Sequence, residues 1–558
     1  LFHVEPGTHP GFPTDLLAYH PLTDRWSHRS HMPPEMARVT APLIVHGKEH
    51  LIISGESRPG IRSPLVQRVK LSGRNSLLQW PDMVILCAYL GSMVWIGSRF
   101  HATTRSTREF FLAGGRIPWW AAGVSIFATT LSAITYLSIP AHSFAYNWVR
   151  FPQNCGILLI APFVIAVYLP YFRRLQLASA YEYLEQRFDV SVRIFGSLSF
   201  IVFQIVRMGI VLLLPALALS AVTGINLYLC IVMMGLLSTV YTVLGGMEAV
   251  VWTDVVQAFV LLGGALIALG VMVSRVDGGL AGLVAVAQAH GKFVWLDAPW
   301  DLSRETWPVI LLAMFFVNLV PYTTDQSIIQ RYLSTSSSGD ARRAIWMNGC
   351  LAIPASAIFF AVGTALFAFY QQLPERLPPL NQADQIFPTF IARELPAGLS
   401  GLVIAGVFAA AMSSLDSSMH SIATALTTDF VQRFGRTRTD GQLLRIARTL
   451  TLGLGLIGTV TAAGLAWTQV PLLWTLFLEM LGLLGGTLCG LFMLGIFTRG
   501  TRAKHAWCGI IVSIVALGLV KYLTTWSGLL YAPLGSMTCL AAGWMAAVLV
   551  KSPADVGG

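Results

Sequence analysis

IFATTLSAITYLS, residues Ile126–Ser138, lies inside an apolar run that opens at Ile117. A helix crossing a bilayer is expected to be uniformly apolar, because each polar group left unpaired in hydrocarbon costs several kcal/mol. This stretch instead places Thr129, Thr130, Ser132, Thr135 and Ser138 near the middle of the run, among small residues that admit a second backbone or a ligand. Two readings are open: a seam where helices pack closely, or a discontinuous helix that lines a site for a solute and an ion.

Bulk composition sets the class. Of 558 residues 55% are hydrophobic and 11% charged, and apolar runs of about 20 residues, enough to cross ~30 Å of hydrocarbon, recur after residue 80. A soluble domain is excluded; the chain reads as an all-α polytopic membrane protein whose first partner is the lipid bilayer. The net charge of +10 sits in particular loops between the runs, so membrane topology accounts for it and no nucleic-acid partner is implied. Cys87, Cys155, Cys230, Cys350, Cys489, Cys508 and Cys539 stand singly in apolar segments without metal-ligand spacing, the pattern of packing residues.

Residues 1–75 differ in kind: polar, punctuated by Pro and Gly, with short strand-like runs at Leu43–Val45 and Leu51–Ile53. The chain opens at Leu1 with neither Met nor a charged-then-apolar leader, and reads as a fragment whose natural start is missing. DLLAYHPLTDRW (Asp15–Trp26), MPPEMAR (Met32–Arg38) and SGESRPGIRS (Ser54–Ser63), in that order, resemble a kelch β-propeller blade. The piece GESRPGIRS resembles the kelch-type bacterial N-acetylneuraminate epimerases. Propellers close only with several blades, so this partial propeller is not expected to be an enzyme by itself.

From Trp80 onward thirteen spans are expected, near 80–99, 118–146, 151–171, 194–222, 226–244, 248–273, 307–326, 344–370, 398–428, 446–466, 472–497, 505–523 and 530–550. Arginines follow alternate spans: Arg99, Arg105, Arg108 and Arg116; Arg173, Arg174 and Arg187; Arg331, Arg342 and Arg343; Arg433, Arg436, Arg438, Arg445 and Arg448; then Arg499 and Arg502 with Lys504. The short loops on the other side, near 223–226, 467–471 and 524–529, hold no Lys or Arg. The positive-inside rule makes the arginine side cytoplasmic. It places the N-terminal segment outside and 551–558 inside as a short tail.

Charge within a span is costly and marks function by default. Asp254 in VVWTDVVQ, Asp416 in AAAMSSLDSSMHS and Arg207 in FQIVRMGIVLLLP are three such residues on separate spans. They either neutralise one another or divide into carboxylates for cations and an arginine for an anionic solute. The spacing of Ser413, Ser414, Asp416 and Ser417 beside Ala410 favours the second reading, since it offers the hard, weakly charged oxygen set that suits Na⁺.

YTVLGGMEAVVWTDVVQ (Tyr241–Gln257), TTDQSIIQRYL (Thr323–Leu333) and AGVFAAAMSSLDSS (Ala405–Ser418) resemble the sodium:solute symporter family over essentially 80–550. The resemblance implies a LeuT-like five-plus-five inverted repeat, with one span before the repeats and two after. Spans two to six and seven to eleven would be the repeats, and Ile126–Ser138 the point where the first unwinds. It implies a principal Na⁺ site from the carbonyls of Ala128, Leu131 and Ala410 with the hydroxyls of Ser413 and Ser414. A second Na⁺ site would use Asp254, Ser413, Asp416 and Ser417; family members commonly carry a hydroxyl where this chain has Asp416.

Within the family, IFATTLSAITYLSIPA (Ile126–Ala141) and YEYLEQRFDVSVRIFGSLSFIVFQIVRMGIVLLLPALAL (Tyr181–Leu219) resemble bacterial sialic acid symporters. That likeness implies substrate contacts from Thr130, Ser132, Thr135 and Arg207, with Gln153 or Asn154 reaching the sugar. An arginine fork matches a carboxylate bidentately. The expectation is therefore Na⁺-coupled uptake of a small anionic sugar, N-acetylneuraminate, by a monomer in a bacterial cytoplasmic membrane, with Na⁺ as coupling ion and no organic cofactor. The alternatives are another small solute (a monocarboxylate, a neutral sugar or proline) and, in an intact polypeptide, a bifunctional epimerase and transporter.

Overall fold

The computed structural model describes residues 11–20, 25–46, 49–70, 78–101, 104–174, 178–296, 300–377, 380, 383–468 and 473–549. The expected tail 551–558, most of the 467–471 loop and parts of the N-terminal segment lie outside them.

Alternating polar and apolar residues before position 70 fold as short antiparallel pairs. Strand β1 (Asp15–His20) pairs with β2 (Arg25–His31); β4 (Glu49–Ile53) lies between β3 (Leu43–His46) and β7 (Val66–Lys70); β5 (Glu56–Arg58) pairs with β6 (Ile61–Arg62). Asp15 sits opposite His31, and the Tyr19 and Trp26 rings meet tilted at 43°, centroids 5.1 Å apart, across the first hairpin. Sheets of two and three strands result. No four-stranded propeller blade forms among the described residues.

The rest is helical. The elements that position the site are α1 (Trp80–Arg99), α2 (Trp119–Thr130), α3 (Ala133–Ala145), α4 (Val190–Thr223), α5 (Leu227–Arg275), α6 (Trp307–Thr324), α7 (Gln326–Leu333), α8 (Ser338–Gln372) and α9 (Leu399–Ala425). Eleven described helices are long and apolar enough to cross a membrane; α2 and α3, bent by 61° at their junction, make a twelfth crossing if taken together. At about 1.5 Å per residue, the 49 residues of α5 reach roughly 70 Å, more than twice the ~30 Å of a hydrocarbon core. The backbone of α5 is broken at Gly246, with φ 59° and ψ −148°. Counted as two crossings there, it brings the total to the thirteen read from the sequence.

Helix α9 lies deep in the bundle, buried almost continuously from Ser400 to Ala425. Its Gly, Ala and Ser residues allow close approach, and a Cβ on Gly401 would stand 2.5 Å from the Cα of Asp82. Asp82, near the start of α1, explains the tightness. Its Oδ1 accepts from the N–H of Gly398 (2.7 Å) and Gly401 (2.8 Å) and from the Ser400 hydroxyl (2.6 Å). One carboxylate thus satisfies orphan donors at the start of α9 and complements its dipole.

The loop arginines hold carbonyls at helix ends. Arg187 donates to the carbonyls of Gly495, Thr498 and Thr501, and Arg173 to those of Tyr332, Thr335 and Ser337. Arg331 departs from the expectation of a loop residue. It lies within α7 and is 1% exposed, because the helix restarts after Asp325 and carries QRYL back into the protein.

Candidate functional site

The opening stretch is a broken helix. Thr129 and Thr130 turn their hydroxyls back onto carbonyls of their own helix, Thr129 on Ser125 O (2.8 Å) and Thr130 on Ile126 O and Phe127 O (3.1 and 2.9 Å), a competition that weakens continuation. Leu131 leaves the helical region (φ −89°, ψ 87°), and Ser132 restarts the chain as the N-cap of α3, its hydroxyl 3.5 Å from the Thr135 N–H. A helix that stops here strips its last carbonyls of intrahelical donors. Side chains reach those carbonyls instead. Ser413 Oγ donates to Ala128 O (3.1 Å) and lies 3.4 Å from Ala410 O, Ser414 Oγ lies 3.5 Å from Thr129 O, and Arg207 Nη2 donates to Thr129 O at 2.9 Å. Two carbonyls and a hydroxyl therefore converge between α2 and α9, uncharged and with no sulfur or imidazole. Such a set fits a hard monovalent cation.

A second break lies opposite. Helix α6 stops at Thr324, Asp325 is extended (φ −87°, ψ 109°), and α7 starts at Gln326. Asp325 caps α7: its Oδ1 accepts from Ser327 N (2.8 Å) and the Ser327 hydroxyl (2.6 Å). Gln204 Nε2 lies 3.0 Å from both carboxylate oxygens, Gln204 Oε1 accepts from the Ser418 hydroxyl at 2.8 Å, and Arg207 Nη1 stands 3.5 Å from Oδ2. Between the two breaks is a cavity of about 240 Å³ whose wall includes Thr130, Ser132, Thr135, Gln153, Arg207 and Asp325.

Beneath this layer lies a charged one. Arg331 donates through Nη2 to Asp254 Oδ2 (2.8 Å) and to the Ser417 hydroxyl, and through Nε to Ser125 Oγ. Asp416 accepts from the Tyr241 hydroxyl at 2.7 Å and lies 3.1 Å from Ser417 Oγ. Asp254, Asp416 and Arg331 are all buried to within 1%. Oxygen Oδ1 of Asp254 is buried with no hydrogen-bond partner among the described residues.

The family description for sodium:solute symporters matches residues 110–513. The chain belongs to the sodium:solute symporter family. It is 40% identical over 472 residues to the sodium/sialic acid symporter NanT of Aliivibrio fischeri, covering 84% of this chain and 94% of that one. A solved structure described as the substrate-bound outward-open state of a Na⁺-coupled sialic acid symporter superposes with a TM-score of 0.80 at 37% identity, over 85% of this chain and 98% of the other. The fold extends to MHP1, a nucleobase-cation-symport-1 family transporter, with a TM-score of 0.53 at 16% identity over 80% of this chain and 96% of that one.

Among the residues singled out from sequence, this symporter brings Ala128, Ala410 and Ser413 into direct contact, sets Ser414 beside Thr129, and lines one cavity with Thr130, Leu131, Ser132, Thr135, Gln153 and Arg207. It joins Asp254, Ser417 and Asp416 through Arg331. The pairing of the buried charges differs from the simplest expectation: Arg207 faces Asp325, and Asp254 faces Arg331. Asp325, Gln204 and Arg331 did not stand out. Asp325 falls within the span expected at 307–326 and, as a charge there, was the signal that could have found it.

Proposed function

We propose that this symporter couples the inward movement of Na⁺ to the uptake of sialic acid, N-acetylneuraminate, by alternating access. The observation that carries this reading is the shared backbone of the first break. Ala128 O contacts the Ser413 hydroxyl, and the next carbonyl, Thr129 O, accepts from Arg207. Na⁺ at Ala128, Leu131, Ala410, Ser413 and Ser414 and a carboxylate at Arg207 would order the same turn, so that each favours the other. Thr130, Ser132 and Thr135 supply neutral donors, and Gln153 reaches the sugar. The sialic acid named for the NanT relative is a small anion of the kind this cavity suits, and Arg207 weighs against a neutral sugar.

Asp254, Ser413, Asp416 and Ser417 form the second Na⁺ site in this reading. Two carboxyl groups lie near the single guanidinium of Arg331, and the bare Oδ1 of Asp254 gives a cation an oxygen to bind. Spans two to six and seven to eleven form the LeuT-like inverted repeats. In support, each repeat would open on an interrupted helix, at Leu131 and at Asp325. The transmembrane domain is then 80–550, monomeric in a bacterial cytoplasmic membrane, with 1–75 outside and 551–558 inside. Residues 1–75 are read as kelch propeller from an epimerase, on the order of their Tyr, Trp, Arg and Gly residues. A longer polypeptide completing that propeller would be an epimerase joined to a transporter.

The test is uptake of labelled N-acetylneuraminate into proteoliposomes with and without an inward Na⁺ gradient. Concentrative, Na⁺-dependent uptake is expected, abolished by Arg207→Ala with the protein still folded. Accumulation of a different solute under the same gradient, without N-acetylneuraminate uptake, overturns the substrate.

A further inference from the structure

We infer that Asp325 is the internal counter-ion that makes anion binding at Arg207 depend on Na⁺. The inference rests on Arg207 being the seat of the substrate carboxylate. Arg207 and Asp325 are the charged members of the cavity wall among the described residues, and they face each other at 3.5 Å. The cavity is thus electrically neutral before any ligand enters.

Asp325 cannot easily leave. Asp325 is buried, caps α7 through Ser327 and lies against Gln204 on both carboxylate oxygens, and Gln204 is itself held by Ser418 from α9. Arg207 is less committed: among the described residues its hydrogen-bond contacts are the long one to Asp325 and one donor on Thr129 O. A guanidinium has five N–H donors, so hydrogen-bonding capacity remains for a carboxylate, but net positive charge does not. An entering carboxylate therefore adds an uncompensated negative charge to a poorly hydrated site, where charge is expensive.

Relief comes from the adjacent carbonyl cluster. Thr129 O, which Arg207 holds, immediately follows Ala128 O, which contacts Ser413. Na⁺ there restores neutrality a residue away from the anion. Anion and Na⁺ each lower the electrostatic cost of the other, and linkage makes the effect reciprocal. With Asp325 neutral, Arg207 alone would balance the substrate and the need for Na⁺ would fall.

The test is calorimetric titration of N-acetylneuraminate into purified protein with Na⁺ and with choline in its place. Asp325→Asn keeps a good N-cap; Asp325→Ser is the second variant should the first fail to fold. In the unaltered protein Kd should rise by about 5–150-fold on removing Na⁺, the usual range of coupling between sites. In the variant that ratio should shrink toward one, chiefly through tighter binding without Na⁺. A variant that binds more weakly by the same factor in both media, with the ratio intact, makes Asp325 a helix cap only and overturns the inference. Arg207→Ala separates the two levels of argument: undiminished binding by Arg207→Ala moves the carboxylate site elsewhere, whereas lost binding there beside an unchanged ratio in Asp325→Asn refutes the counter-ion alone.

Discussion

Asp416 and Asp254 have different surroundings, and these predict different consequences of disturbing each. Asp254 is paired with Arg331 at 2.8 Å, whereas Asp416 leans on a tyrosine and a serine hydroxyl. Truncating one partner of a buried ion pair strands the other and typically costs about 3–5 kcal/mol, so Arg331→Met should lower thermal stability sharply in detergent. Asp416→Ser leaves the Arg331–Asp254 pair in place and should be well folded. If these carboxyl groups hold the second Na⁺, Asp416→Ala brings the Hill coefficient for Na⁺ in uptake toward one, and so does the folded fraction of Asp254→Ala, which strands Arg331 and loses stability as Arg331→Met does; an unchanged coefficient reduces them to a structural network. The residues of the first break were legible because hydroxyls in an apolar run violate a strong rule. The pairings were not, because Arg331 and Asp325 meet their partners across about 77 and 118 positions of sequence, a distance over which no local pattern carries information.

At the scale of elements, the breaks determine where function sits. The 61° bend between α2 and α3 and the single extended residue between α6 and α7 expose carbonyls and N–H groups where the bundle is otherwise apolar. Irregular backbone is tolerated at that depth only when buried in protein or lining a cavity, and both breaks line the same one. The third break, at Gly246, has another role. Its φ of 59° with ψ −148° belongs to a region open essentially to glycine, and a Cβ would stand 2.7 Å from the Phe110 ring. Backbone forced there costs of order 1–3 kcal/mol per residue, and the clash adds to it. Gly246→Ala is therefore expected to lower the thermal midpoint of the purified protein, with transport impaired in proportion to the folded fraction. An unaffected midpoint would mean that the turn between the two halves of α5 is not fixed by this residue. Sequence located this turn as the gap between spans ending near 244 and starting near 248; it did not show that the turn is made at one non-helical residue, Gly246.

For the whole molecule, the count of charges decides what drives transport. Span length and loop arginines were readable because the bilayer imposes them on any sequence, and Arg331 shows the limit of that reading, since a motif arginine inside the protein counts for nothing in topology. Net movement, by contrast, is a sum over the Na⁺ ions carried and the substrate. One Na⁺ with one carboxylate moves no charge, whereas two Na⁺ with one carboxylate move one positive charge inward, which gains about 2.3 kcal/mol per 100 mV. At about 1.4 kcal/mol per tenfold, that is roughly 50-fold in the limiting accumulation ratio. The buried layer, which sets the two carboxyl groups of Asp254 and Asp416 near the one guanidinium of Arg331, favours the two-ion cycle. Proteoliposomes with equal Na⁺ on both sides and a potassium diffusion potential, negative inside, should therefore accumulate N-acetylneuraminate. Asp416→Ser, which removes one of the two carboxyl groups proposed to hold the second Na⁺, should weaken or abolish this voltage-driven uptake while retaining uptake driven by a Na⁺ gradient. Accumulation indifferent to voltage in the unaltered protein would assign one Na⁺ per cycle and leave the lower layer a structural one.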